Sequence, residues 1–88
     1  MTSKERARLK SLAATADTIV QIGKSGITDS VIASVDAALT ARELVKGKVL
    51  ESSMLTAREA CEQLAEALQA EAVQAIGTKF VLYRKKPD

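Results

Sequence analysis

The stretch Thr18-Ile19-Val20-Gln21-Ile22-Gly23-Lys24-Ser25-Gly26-Ile27-Thr28 decides how this chain folds. Its first five residues are β-rich, too few for a stable helix, and stopped by Gly23, so Thr18 to Ile22 is predicted to be a strand. Thr28 is a good N-cap, and Asp29 suits the positive end of a helix dipole. Val31, Ile32, Val35, Ala38 and Leu39 then recur with the spacing of one buried helix face, out to Ala41 or Arg42. Between strand and helix lies Gly23-Lys24-Ser25-Gly26. Glycines let a ligand come close, and the unpaired amides of a first helical turn point at whatever sits there. With the charge of Lys24 and the hydroxyl of Ser25, the junction is a candidate cradle for a phosphate.

Upstream, Ser3 can cap a helix over about residues 4–15, with Leu9, Leu12 and Ala13 as its apolar stripe and Lys4, Arg6, Arg8 and Lys10 as a basic surface. Downstream, Glu43 to Leu50 has a period of two. Val45, Gly47 and Val49 share one face, and Leu44, Lys46, Lys48 and Leu50 the other. Ser52 to Met54 reads as a loop, and Thr56-Ala57-Arg58-Glu59 as the capping box of a third helix. That helix has Cys61, Leu64, Ala65 and Leu68 inside and Glu59, Glu62 and Glu66 outside. Ala72 to Ile76, the turn Gly77-Thr78 and Lys79 to Arg84 read as a hairpin, followed by the basic end Lys85-Lys86 before Pro87.

The order is therefore α-β-α-β-α-β-β, an α/β fold with three helices and a four-stranded sheet. Strand-helix-strand units bring parallel neighbours, and the hairpin adds an antiparallel strand, so the sheet is expected to be mixed. If the second and third helices cover one face, the first is left to cover part of the other.

The 88 residues suffice for one domain over 1–88. Apolar residues make up 47%, but Phe80 and Tyr83 are the only aromatics, so the core must come from Ala, Val, Ile and Leu. The net charge of +2 is unevenly distributed: +3 over residues 1–28, −4 over 29–71 and +3 over 72–88. Basic ends around an acidic middle can fold into a molecule with one positive and one negative side, able to hold a polyanion. The N-terminus lacks the apolar segment of a signal peptide, and no apolar run reaches membrane-spanning length, so a cytoplasmic protein is expected.

Histidine is absent, and Cys61, the one cysteine, falls on a buried stripe without an activating partner. Nucleophilic, general-base and metal chemistry therefore have little to draw on, and neither an enzyme nor a cofactor is expected. Gly23-Lys24-Ser25 invites comparison with a nucleotide-binding P-loop, but Thr18 stands where the first glycine would have to be. What remains is the Gly-x-x-Gly form, in which the backbone of a single-stranded nucleic acid lies on the junction, as in KH domains. Lys46 and Lys48 on one strand face, Lys79 and Arg84 on the last strand, Arg42 at the end of the second helix and the basic first helix could extend such a contact. Each could equally be solvated charge.

Four motifs stand in order: Gln21-Ile22-Gly23-Lys24-Ser25-Gly26-Ile27-Thr28, Glu43-Leu44-Val45-Lys46-Gly47-Lys48-Val49, Val73-Gln74-Ala75-Ile76-Gly77 and Val81-Leu82-Tyr83-Arg84. Together they resemble the CRM (chloroplast RNA splicing and ribosome maturation) domain, in particular its small stand-alone bacterial YhbY-type members, over about residues 9–84. The resemblance implies a fold similar to the C-terminal domain of translation initiation factor three. It also implies RNA binding in association with precursors of the large ribosomal subunit. By position the family's loop falls on Gly23, Lys24, Ser25 and Gly26, and its basic strand residues on Lys46 and Lys48. Two departures stand out: Gly47 replaces a β-branched residue, which should weaken the strand, and Ala70 stands where a glycine often ends the third helix.

The expectation is a monomeric, non-catalytic RNA-binding protein of ribosome assembly. Gly23 to Gly26, Lys46, Lys48, Lys79, Arg42 and Arg84 would contact backbone phosphates, and Tyr83 is the one plausible stacking surface. The alternative is a protein-interaction module that docks a basic partner on its acidic third helix, with the glycine loop merely a turn.

Overall fold

Residues 2–85 are described by a computed structural model. The element order is α1 (Ser3–Ala14), β1 (Thr18–Ile22), α2 (Asp29–Arg42), β2 (Leu44–Val49), α3 (Ala57–Leu68), β3 (Glu71–Ile76) and β4 (Lys79–Tyr83). The expected α-β-α-β-α-β-β succession and the two strand-helix junctions are present. Lys86 and Pro87, read as part of a basic end, lie outside the described residues.

Helix starts follow local side-chain chemistry. Thr28 Oγ1 accepts from Val31 N at 3.2 Å. Thr56 and Glu59 close a complete capping box, with Thr56 Oγ1 accepting from Glu59 N and Glu59 Oε1 accepting from Thr56 N. For α1 the cap is Thr2 rather than Ser3: Thr2 Oγ1 accepts from Glu5 N at 3.1 Å, and Ser3 is the first helical residue. Either hydroxyl has the right chemistry; with Thr2 as the cap, Glu5 is the third helical residue, in the first turn and facing the helix dipole.

The sheet order is β1-β2-β4-β3. β1 and β2 are parallel neighbours, and β4 pairs antiparallel with both β2 and β3. The sheet is mixed, as expected, but the strand after α3 is not the neighbour of β2. β4 inserts between them. The reason lies in its composition: Phe80, Val81 and Leu82 are all buried, so Lys79–Tyr83 needs cover on both faces and takes a central place. β3 buries only Val73 and goes to the edge.

Two apolar clusters sandwich this sheet. On one face α2 and α3 pack Val35, Leu39, Ala60, Cys61 and Leu64 against Val20, Ile22, Val45, Val49, Phe80 and Leu82. On the other, α1 lays Leu9 and Ala13 on Val73 and Val81, with Leu44 and Tyr83 packed alongside. The place left open for α1 is thus the second face, over β2, β3 and β4.

Gly47 has a structural reason. It is buried opposite Phe80, and a Cβ added there would come within 2.2 Å of the ring's Cζ. The chain gives up a β-branched side chain and fills the space with its one phenylalanine, itself fully buried. What looked like a weak spot in the strand is half of a packed pair.

The αL cap of α3 falls on Gln69, at φ 54 and ψ 42, with its N–H donating to Ala65 O. The helix ends there, before Ala70, whose own N–H returns to Ala65 O at 2.9 Å.

Candidate nucleic-acid interface

β1 and the parallel β2 finish at the same end of the sheet, where Leu50 N donates to Ile22 O and Val49 N to Thr78 O. Three connections gather there: Gly23 to Gly26, the segment 50–56, and the Gly77-Thr78 turn. The glycine segment is a tight turn closed by Gly26 N donating to Gly23 O at 3.0 Å, with Lys24 and Ser25 exposed at its corners. Gly26 stands at φ +69, a conformation other residues adopt only under strain. Gly23 has no such need; a Cβ there would meet Leu50 Cδ1 at 3.5 Å and Ser52 Oγ at 3.6 Å, ordinary contacts. Asp29 already stands at the N-terminus of α2, so Lys24 is the cation the loop itself offers to an anion.

The register places further cations beside this turn. Gln21 pairs with Lys48, Lys48 with Lys79, and Lys79 with Ile76, so one residue from each strand stands in a row across the sheet. Directly paired residues share a face, and Val81 and Leu44 place this face under α1. The row lies beyond the cover of α1, whose C-terminal end reaches only the Lys46 position. Two lysines side by side with Cβ atoms about 5 Å apart repel one another, and nothing described pairs with either. Such an arrangement is relieved by an anion.

Lys46, on the same face, is engaged. Its Nζ donates to Ala13 O at 3.1 Å, closing the C-terminal end of α1, where a cation suits the dipole. Arg84 is engaged more completely: it donates to Leu68 O at 3.0 Å, to Asp36 O at 3.1 Å and to Thr40 Oγ1 at 3.0 Å, and it pairs with Asp36 Oδ1 at 2.8 Å. It bolts α2 to the end of α3. Arg42, exposed in the last turn of α2, stands at the opposite end of the sheet; the 14 residues of α2 put it about 20 Å from the glycine turn.

The structure therefore brings together Gly23 to Gly26, Lys48 and Lys79, gives Lys46 and Arg84 intramolecular partners, and sets Arg42 apart. Arg6 also turns inward, donating to Ala72 O and Val73 O at 3.1 Å each, where the register of edge strand β3 shifts. Lys4, Arg8 and Lys10 remain exposed on α1. Tyr83, half-buried beside the α1 cluster, pairs with Leu44 at the end of the sheet away from the glycine turn. Two exposed apolar residues at the loop end escaped the sequence reading: Met54, on the segment that backs Gly23, and Ile76. The two-residue turn Gly77-Thr78 sets Ile76 beside Lys79, and only the strand order adds Lys48 on the other side.

The charges separate by layer. Asp29, Asp36, Glu59, Glu62 and Glu66 against Arg42 and Arg58 make the α2–α3 side negative, while α1 and the open row make the other side positive. Among the described residues no group of three or more His, Cys, Asp or Glu could hold a metal ion, and no helix is long and apolar enough to cross a membrane. Burial pushes the Cys61 thiol up to about 11, so it stays protonated and a poor nucleophile.

The model of the CRS1/YhbY (CRM) domain family matches residues 1–84. The chain belongs to this family. CRM relatives include the probable RNA-binding protein YqeI of Bacillus subtilis, 34% identical over all of this chain and 92% of that one. An RNA-binding protein of Haemophilus influenzae is 33% identical over 96% of this chain and 85% of its own length. Among solved structures, the solution structure of the hypothetical protein SAV1595 from Staphylococcus aureus is similar at a TM-score of 0.83 and 41% identity, covering 100% of this chain and 92% of that one. The CRM resemblance drawn from the four motifs, over about residues 9–84, holds over residues 1–84.

Proposed function

We propose that this CRM protein binds RNA through the sugar-phosphate backbone, without catalysis, and assists assembly of the large ribosomal subunit in the cytoplasm as a monomer. The observation that carries the reading is the convergence, at one end of the sheet, of the Gly23–Gly26 turn with the unpaired Lys48 and Lys79. Lys24 and the turn meet one phosphate, and the lysine pair meets the next part of the backbone. With no exposed aromatic side chain described at this end of the sheet, affinity comes from phosphate contacts and RNA shape rather than from stacked bases. The RNA-binding relatives and the positive α1 side support the partner class; the assembly role rests on the likeness to YhbY-type proteins.

Co-sedimentation with ribosomal particles tests it, wild type against Gly26→Asp and against Lys48→Ala/Lys79→Ala. The wild type is expected in the large-subunit precursor fractions, and both variants, folded by circular dichroism, in the free fractions. Folded variants that still travel with the particles would remove the loop and the lysine pair from the interface. Complexes that survive ribonuclease and contain no ribosomal RNA would instead favour docking of a basic protein on the acidic α2–α3 side.

A further inference from the structure

Ile76 ends edge strand β3 with 68% of its surface in water, among the most exposed large apolar side chains described. Its position is fixed by backbone pairing rather than by side-chain packing. Its partner is Lys79, whose partner on the other side is Lys48, whose partner in turn is Gln21. The four side chains stand in a line perpendicular to the strands, about 14 Å from end to end at the usual strand spacing. The glycine turn adjoins its β1 end and Ile76 closes its β3 end.

Nothing in the fold uses this isoleucine. It belongs to neither apolar cluster, and α1 does not reach it. β3 is otherwise a guarded edge: its register shift bends it, and Arg6 occupies two of its carbonyls. An exposed isoleucine at the open end of such a strand is paid for in solubility. Beside two unpaired lysines, its occupant must be a ligand that presents a dense negative chain and an apolar face within a few ångströms of one another. A nucleotide strand has that composition, whereas an acidic peptide has the charge without the flat apolar faces.

We infer that a single RNA strand crosses the sheet from the glycine turn toward β3, its phosphates on Lys48 and Lys79 and one unstacked base lying on Ile76. This rests on the RNA-binding reading above and extends it: the substrate includes an unpaired nucleotide, and Ile76 contacts a base. The lysines supply the salt-dependent part of affinity, and Ile76 a salt-independent part that duplex RNA and base-free polyanions do not engage.

The test compares three fluorescently labelled or competing probes: a single-stranded oligouridylate, an RNA duplex of equal length, and inorganic polyphosphate. Ile76→Ala is expected to weaken oligouridylate binding about fivefold, the size of a modest apolar contact, with the salt slope unchanged and polyphosphate and duplex affinities kept. Lys48→Ala is expected to weaken all three and flatten the slope. Because Ile76 is exposed, its loss should leave the unfolding midpoint in place; Ile76→Ser provides a second variant with the same expectation. Equal affinity of wild type and Ile76→Ala for oligouridylate, or an equal loss on polyphosphate, would overturn the inference while leaving the glycine turn's role intact. So would a concentration-dependent dimer of the wild type that Ile76→Lys abolishes, since the residue would then face a second copy. Failure of the wild type to bind either RNA would remove the RNA reading itself.

Discussion

At Gly26 the backbone stands at φ +69, whereas Gly23, which opens the same turn, has an ordinary conformation and room for a methyl group. Gly26→Ala should therefore cost about 1 kcal/mol of stability, and Gly23→Ala should stay within about 0.5 kcal/mol, both read from denaturant midpoints. If a phosphate lies on the turn, Gly26→Ala should also weaken RNA binding, because its methyl stands in open space where the ligand would lie, whereas the Gly23→Ala methyl faces Leu50 and Ser52 and should leave binding in place. Gly47 is a third case. Gly47→Ala would drive a methyl into the Phe80 ring and should cost about 3 kcal/mol. Adding Phe80→Leu should make the double variant less unstable than the sum of the two singles, a coupling that thermal or chemical unfolding of all four proteins would expose. At this scale the sequence was legible for caps and turns, which depend on neighbours three residues away. It was not legible for Lys46 and Arg84. A cation on a strand looks the same whether its head reaches water, a phosphate or Ala13 O, and the distance in sequence from Lys46 to Ala13 hides the answer.

Among the elements, α3 ends on Gln69 in the left-handed region, where a side chain is tolerated at a cost. Gln69→Gly should raise stability by about 0.5–1 kcal/mol, seen as a higher urea midpoint at unchanged slope. The same corner depends on Arg84, whose guanidinium reaches Asp36, Thr40 and Leu68. Arg84→Ala removes several charge-assisted bonds at once and should destabilise by about 2 kcal/mol, while the RNA affinity of the protein that remains folded changes little. Element type and limits were readable because each strand is stopped by Gly, a turn or a cap and each helix has its own buried stripe. Strand order was not, since a hairpin can add its last strand outside or inside its partner. The three consecutive buried residues Phe80, Val81 and Leu82 were the one available sign of a central strand.

Across the whole molecule, the charge segregation seen along the chain becomes a segregation between layers, with the acidic helices on one face of the sheet and the basic helix and open lysine row on the other. The sheet also has two distinct ends. One gathers the glycine turn, Lys48 and Lys79; the other gathers Arg42 and Arg84, so the cations that looked like one surface in sequence divide by place and by task. The most direct measurement is the salt dependence of affinity for a single-stranded RNA, taken for wild type and for Lys24→Ala. If Lys24 meets a backbone phosphate, the wild-type affinity falls steeply with salt and the variant's logarithmic slope is smaller by about 1. An unchanged slope in a folded Lys24→Ala protein would contradict the placement of RNA on the glycine turn.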